Sequence, residues 1–224
     1  MPPAPTADDP IALAATVAVV RDGPSALEVL MVQRAHSLAF HGGAWVFPGG
    51  RVDPCDTCVD ALATARRAAI REAREEAGLV LGLDDLVPFS HWTTPPGRTR
   101  RFATWFFAVA LNADHDVVVD GQEITAHRWL SAPAVLALHA RGDFDLPPPT
   151  FVTLTQFARF SSSEALLARL RAAQPEVFVP RLREQVALYA GDVAYEGGAL
   201  DAPGPRHRLH MQPGGWRYEP EPEP

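Results

Sequence analysis

Lysine is absent: all 20 fixed basic side chains are arginine. Together with the richness in Ala and Pro, this reads as genome composition, and no mechanism follows from it. Positive charge is also in deficit. Against 27 carboxylates the net charge is -7, which argues against general nucleic-acid binding, because that rests on neutralising backbone phosphates with cations. Long apolar runs are missing. None reaches the length of a membrane span, and the N-terminus has no basic-then-apolar signal. The expectation is a cytoplasmic protein with no membrane partner and no nucleic-acid partner. Cysteine is scarce. Cys55 and Cys58 form a lone C-x-x-C, with no second cysteine or histidine pair to complete the four ligands of a structural zinc site. Nor do they end a strand in a thioredoxin-like pattern, so both are expected to be ordinary thiols. No internal repeat is present.

What the chain does have is 47% hydrophobic content, enough for one good core with an extension. It also has a dense acidic run, Arg71-Glu72-Ala73-Arg74-Glu75-Glu76-Ala77-Gly78-Leu79. On a helix Glu72, Glu75 and Glu76 fall at i, i+3 and i+4, so the three carboxylates share a face. Bare carboxylates so placed repel one another. The arrangement makes sense if a cation lies among them, and oxygen-only ligands suit Mg²⁺ or Mn²⁺. The alternative is a solvated acidic face neutralised by Arg71 and Arg74. The Pro48-Gly49-Gly50 turn upstream and the helix stop at Gly78 favour the metal.

Along the chain, Ile11 to Val20 reads as a buried strand, and Leu27 to Gln33 as its hairpin partner across the turn residues 21–24. Arg34 to Trp45 is expected to be a loop, Trp45 to Phe47 a short strand, and Gly49-Gly50 a turn whose backbone approaches the metal, where a Cβ would obstruct. The acidic helix is expected to start near Thr57 to Asp60, with Asp56 or Thr57 as cap, and to run to Ala77. Phe102 to Leu111 is a strong strand, a further strand ends at 127–130, and Ser131 caps a helix carrying Pro133 in its first turn. Residues 147–160 read as a proline stop and an apolar helix. Ser161 to Ala173 reads as a second helix, capped by Ser162 or Ser163, with Leu166, Leu167 and Leu170 buried. A strand at Val177 to Val179 and a turn at Gly191-Asp192 follow. The order gives an α+β layering with a mixed sheet between helices. A domain at 10–146 would carry a helical extension at 147–216 packed on it, between tails at 1–9 and 217–224. Arg98, Arg100 and Arg101, at the mouth of the strong strand, would suit a phosphate-bearing substrate; the alternative is a basic loop balancing the acidic helix.

Phe47-Pro48-Gly49-Gly50 followed by Arg71 to Leu79 resembles the Nudix box. The second half matches throughout, with Ala73 and Leu79 at its apolar positions. The first half is seven residues longer between Gly50 and Arg71 than the family pattern. Counting back from Arg71 puts Ala63 where the box has its first glutamate; counting forward from Gly50 puts Asp56 there, a candidate substitute brace. Seven residues are about two helical turns, so they could lengthen the helix. Thr94-Pro95, Arg100-Arg101-Phe102, Thr104-Trp105-Phe106-Phe107 and Pro148-Pro149-Thr150 resemble the coenzyme A diphosphatase-like branch of the family.

The resemblance implies a Nudix-type α/β/α sandwich and a metal held by Glu72, Glu75, Glu76 and the Gly49 carbonyl. It implies that Arg71 positions the acidic cluster. The general base would be a box glutamate or one from a later loop, for which Glu123 is the candidate; the alternative for Glu123 is an exposed turn residue. Gly50 and Arg51 join the three arginines as substrate contacts, and a homodimer is implied. The expected activity is metal-dependent hydrolysis of a small-molecule diphosphate, a nucleoside diphosphate derivative, with coenzyme A or an acyl-CoA preferred. Nucleotide sugars, dinucleotides or oxidised nucleoside triphosphates are the alternative substrates. A non-catalytic nucleotide sensor is the alternative class, favoured only by the displaced first glutamate.

Overall fold

In the computed structural model, strand β1 (Ile11–Asp22) lies at the centre and explains its own composition. Its side chains alternate between two cores. Ala15, Val17 and Val19 face one apolar cluster, and Ala18 and Val20 the other. With both faces buried, the strand reads as an unbroken apolar run rather than an alternating one. The structure describes residues 11–38, 41–98, 100–112, 115–213 and 215–220.

The other strands of the main sheet are β2 (Leu27–Arg34), β3 (Trp45–Val46), β4 (Gly49–Arg51), β5 (Val87–Thr93), β6 (Arg101–Ala110), β7 (Ile124–Ser131) and β8 (Glu176–Phe178). Their order is β3-β2-β1-β6-β5-β8, with β4 also paired to β1 and β7 to β2. The β1–β6 and β5–β8 pairs are parallel and the rest antiparallel, so the sheet is mixed. Helix α1 (Ala61–Ala77) covers one face through Ala65, Ala68, Ala69, Ala73 and Ala77. These methyl-sized side chains let the helix lie close to β1. On the other face are α2 (Ala132–Ala140), α3 (Pro148–Phe157) and α4 (Ser163–Ala172), packed around Phe89, Trp92, Phe106, Phe157 and Leu166. This is the expected α/β/α layering, and the helices of the extension form where expected. Ser131 and Ser162 cap α2 and α4 by accepting from the Ala134 and Ala165 N–H groups.

Three local expectations are corrected. The cap of α1 is Asp60, whose Oδ1 accepts from the Ala63 N–H at 2.7 Å. Asp56 instead closes a 3₁₀ turn at Pro54–Asp56 and is buried. The residues between Gly50 and Arg71 are therefore divided between this turn, a link and the first helical residues, so the insertion does not simply extend the helix. The Gly49-Gly50 pair belongs to strand β4 rather than to a turn, opposite Thr16 and Ala15 of β1. Strand β5 carries no clear pattern in the sequence, because Pro88 and the register shift between Pro88 and Ser90 break its alternation.

Beyond α4 the chain also builds a second sheet, in the order β12-β11-β10-β9: β9 (Arg181–Arg183), β10 (Val186–Leu188), β11 (Arg208–Gln212) and β12 (Gly215–Glu219). Arg217 to Glu219, grouped with the tail on composition, thus lie in a strand. Residues 1–9 and 221–224 of the expected tails lie outside the described residues. Asp192 ties the loop that follows β10 to the start of β11. It accepts from Arg208 Nε at 2.7 Å and Nη2 at 2.6 Å, and from the Ala194 and His207 N–H groups. Burial pushes its pKa up, but those donors outweigh it and hold the carboxyl at about 2.

Two outcomes test this account. Asp60→Ala should lower the unfolding free energy by about 1 kcal/mol in urea titration, whereas Thr57→Ala should change it by less than about 0.5 kcal/mol. Cys55 and Cys58 are both free thiols, and a Cys55→Ser, Cys58→Ser double variant should keep its melting temperature. A drop comparable to that of Asp60→Ala would assign the pair a structural role.

Candidate active site

The site begins where β4 meets α1. A Cβ on Gly49 would come within 2.5 Å of the Ala15 carbonyl oxygen and 2.6 Å of the Thr16 Cα. A Cβ on Gly50 would overlap the Glu72 carboxylate. Gly49 is required by the backbone-to-backbone contact, whereas a side chain at Gly50 would displace the Glu72 carboxylate from its place. Thr16 Oγ1 donates to the Pro48 carbonyl at 2.7 Å, pinning the segment.

Arg71 is the centre of the polar structure. Its Nη1 donates to Glu72 Oε1 and to Glu75 Oε2, both at 2.9 Å. Its Nη2 donates to Asp56 Oδ2 and to the Arg51 carbonyl, also at 2.9 Å, and its Nε contacts Asp56 as well. Asp56 further accepts from the Asp53 N–H. Burial raises the Asp56 pKa, but Arg71 and that N–H outweigh it and hold the carboxyl below its usual range. Arg71 is held above its own usual value, chiefly by Asp56, against the effect of burial. The position reached by counting forward from Gly50 therefore supplies the brace for the arginine.

The three glutamates do not share one environment. Successive helix positions differ by about 100°, which separates Glu75 from Glu76. Glu76 is 4% exposed and turned inward, accepting from the Gly49 N–H at 2.8 Å; Arg34 Nη1 lies 3.9 Å from its other oxygen. Burial pushes its pKa up to about 8, with the charges of Glu72 and Glu123 adding to the effect, against the Gly49 N–H and Arg34. Glu72 is raised for the same first reason, burial, partly offset by Arg71. The Glu75 side chain is 59% exposed and held by Arg71. The single face inferred from spacing thus resolves into an inward pair and one outward member.

The remaining candidates are scattered around this core. Glu123 is exposed, in a turn where Asp120 accepts from the Glu123 and Ile124 N–H groups. It is near enough for its charge to raise both inward carboxyls. Arg51 is exposed, and its backbone carbonyl is what Arg71 uses. Arg98 and Arg100 are exposed. Arg101 Nε donates to the Thr94 carbonyl at 3.2 Å. Arg98 is felt at His41, whose pKa burial lowers, with Arg34 and Arg98 adding to that and Asp145 opposing it. Arg34 and His41 had no signal in the sequence: one arginine at a strand end and one histidine in a loop. The nearness of Arg34 to Glu76 is a product of the sheet.

Among the described residues, no group of three His, Cys, Asp or Glu side chains is close enough to hold a metal ion. The donor chemistry nevertheless fits a hard divalent cation. Glu72 and Glu76 are oxygen donors whose pKa values are raised first by burial and then by neighbouring carboxylates, and a cation beside them would favour the ionised forms. Glu75 would join them by exchanging its Arg71 contact. At Gly49 the N–H donates to Glu76, which places the Gly49 backbone beside the carboxylates.

A NUDIX domain family model matches residues 11–149. A Caenorhabditis elegans relative described as nudix hydrolase 7 is 24% identical over 166 residues, 58% of this chain and 56% of that one. Acyl-coenzyme A diphosphatase NUDT19 of Xenopus laevis is 32% identical over 80 residues, 34% of this chain and 21% of that one. The chain thus spans about half of one curated relative and about a fifth of the other. In fold, it is similar to the crystal structure of a NUDIX hydrolase from Alicyclobacillus acidocaldarius, with a TM-score of 0.66 and 24% identity, covering 72% of this chain and 97% of that one.

The raised Glu76 pKa has a testable consequence. A carboxyl with an ordinary pKa of 4.5 and a folded value of about 8 stabilises the fold fully below pH 4.5, and that contribution is lost as pH rises through 8. Chelator-treated protein should therefore lose melting temperature between about pH 5 and pH 8, and added Mg²⁺ or Mn²⁺ should restore it at the upper end. Glu76→Gln should flatten the profile. If its slope stays at the wild-type value, the burial of Glu76 is not what sets it.

Proposed function

The chain belongs to the Nudix family, and we propose that it is a metal-dependent pyrophosphohydrolase cleaving the diphosphate linkage of a nucleoside diphosphate derivative, with coenzyme A or an acyl-CoA as the preferred substrate. The observation that carries the reading is the under-compensated Glu72–Glu76 pair beside Gly49-Gly50, organised by the Arg71–Asp56 ion pair. Mg²⁺ or Mn²⁺ bound there would neutralise phosphate charge and lower the pKa of a bound water. Glu72 and Glu76 would hold it, and Glu75 would join them if it left Arg71. Arg71 keeps the carboxylates at fixed positions, so that little reorganisation is needed as charge develops. Glu123, next to the inward pair, is the candidate to take the proton from water. Arg98, Arg100 and Arg101 supply guanidinium groups for the outer phosphates, with Gly50 and Arg51 bordering the reacting group. The homodimer belongs to the same proposal.

Support for coenzyme A comes from the similarity to the acyl-coenzyme A diphosphatase, which covers about a third of this chain. Nucleotide sugars, dinucleotides and oxidised nucleoside triphosphates are the second set of substrates. A sensor without activity is disfavoured, because the feature that suggested it, the displaced first glutamate, has a replacement in the buried Asp56 brace.

The test is a hydrolysis screen of these diphosphates with Mg²⁺ and with Mn²⁺. Activity should require the metal, and coenzyme A or its thioesters should give the highest kcat/KM. Glu76→Gln and Glu75→Gln should each lower kcat by about 10²- to 10⁴-fold with unchanged far-ultraviolet circular dichroism. Wild-type turnover in either variant would overturn the assignment.

A further inference from the structure

Helix α1 packs on β1, β4 and β6, and among the described residues no helix lies over the same face of β5 and β8. The strand register shows what that bare face carries. Gly50 pairs with Ala15, Ala15 with Trp105, Trp105 with His91, and His91 with Val177. All five therefore lie in one row on the α1 side of the sheet. The next row contains Leu13, Ala103 and Thr93. At one end the row starts beneath the Glu72 carboxylate, which occupies the space a Gly50 side chain would need. At the other it runs out to an open strand edge at β8. Four strand-to-strand steps of about 4.8 Å make it roughly 19 Å long.

The exposed part of this face is apolar. Leu13 is 52% exposed and Val177 56%, while Trp105 and His91 lie half-buried, edge to face, with ring centroids 4.9 Å apart. Burial lowers the His91 pKa, which keeps the ring neutral near pH 7. No carboxylate lies in either row. The charged neighbours are arginines: Arg101, opposite Ile11 at the end of β6, with Arg100 and Arg98 before it. Glu176, the acidic residue of β8, pairs with Ser90 and so points to the other face. Exposed apolar side chains on a contiguous surface mark a binding site when something specific covers them. Here the continuity with the carboxylates and the cationic rim both select an anionic head with an apolar tail.

We propose that the row from Trp105 through His91 to Val177, flanked by Leu13, carries the pantetheine arm and acyl chain of an acyl-CoA whose diphosphate lies at Glu72 and Glu76. This rests on the hydrolase reading above and adds a preference that the reading does not contain: long acyl chains over the free thiol. Each methylene buried on such a surface contributes up to about fourfold in affinity.

The experiment compares kcat/KM for coenzyme A, acetyl-, octanoyl- and lauroyl-CoA, below micelle-forming concentrations, in the wild type, Leu13→Asp and Val177→Asp. The wild type should prefer lauroyl-CoA to coenzyme A by tenfold or more. That ratio should fall at least tenfold in Val177→Asp, with the melting temperature kept and with Leu13→Asp as the independent second variant. Equal turnover of both compounds by the wild type would overturn the inference while leaving the hydrolase reading intact. So would a ratio that survives both substitutions. Light scattering on the same samples covers the competing occupant: a dimer that dissociates in Val177→Asp with the ratio unchanged would make the face an interface between copies. If no coenzyme A compound is hydrolysed, the substrate reading fails by itself. The face is then decided by fluorescence of dansyl-undecanoic acid: binding lost in Val177→Asp upholds a chain-binding surface, and no binding to the wild type removes it.

Discussion

The buried contact between Arg71 and Asp56 is the constraint on which the rest of the site depends. One guanidinium fixes four things: the turn within the insertion through Asp56, the end of β4 through the Arg51 carbonyl, and the carboxylates of Glu72 and Glu75. Removing one member of such a pair leaves the other charge buried and unmatched, at a cost of about 3–5 kcal/mol. The pair therefore makes the geometry of the loop and of the helix interdependent. It also explains why a longer loop between Gly50 and Arg71 is compatible with an organised cluster: the loop folds back so that Asp56 lands on the arginine.

Around that contact, electrostatics are deliberately incomplete. Glu76 receives a single N–H and a distant arginine, while Glu72 and Glu123 press on it with like charge. Such burial costs the empty protein stability as the pH rises through neutrality, and a cation held there would offset it. Metal binding at this residue would thereby be linked to stability. The sheet sets the remaining geometry. Because β1 pairs with both β4 and β6, the carboxylates sit at one end of a row that continues uncovered across β5 and β8, so the centre of charge and the apolar face belong to one surface.

Much of the architecture was legible in the sequence because it is local. The β1–β2 hairpin, the acidic helix ending in a left-handed Gly78 (φ 69°), and the serine caps of α2 and α4 each follow from a few adjacent residues whose conformational preferences agree. The alternation that reveals a strand failed at β5, where Pro88 and a bulge interrupt it. It had nothing to act on in β9 and β10, three residues each. The loop after β10 is fastened to β11 by Asp192 and Arg208, sixteen positions apart, a contact that no local pattern encodes.

The sequence by itself determined that three glutamates and an arginine lie on one helix that Gly78 ends, since helical spacing and glycine conformation are properties of neighbouring residues. Only the tertiary structure decided which glutamates turn inward, that Asp60 rather than Asp56 caps the helix, and that Asp56 is spent on Arg71. It alone decided that Gly50 makes room for Glu72. Those outcomes depend on β4 lying against β1 at one register, and on the burial that this packing imposes. Burial is a property of the assembled layers, not of any stretch of the chain.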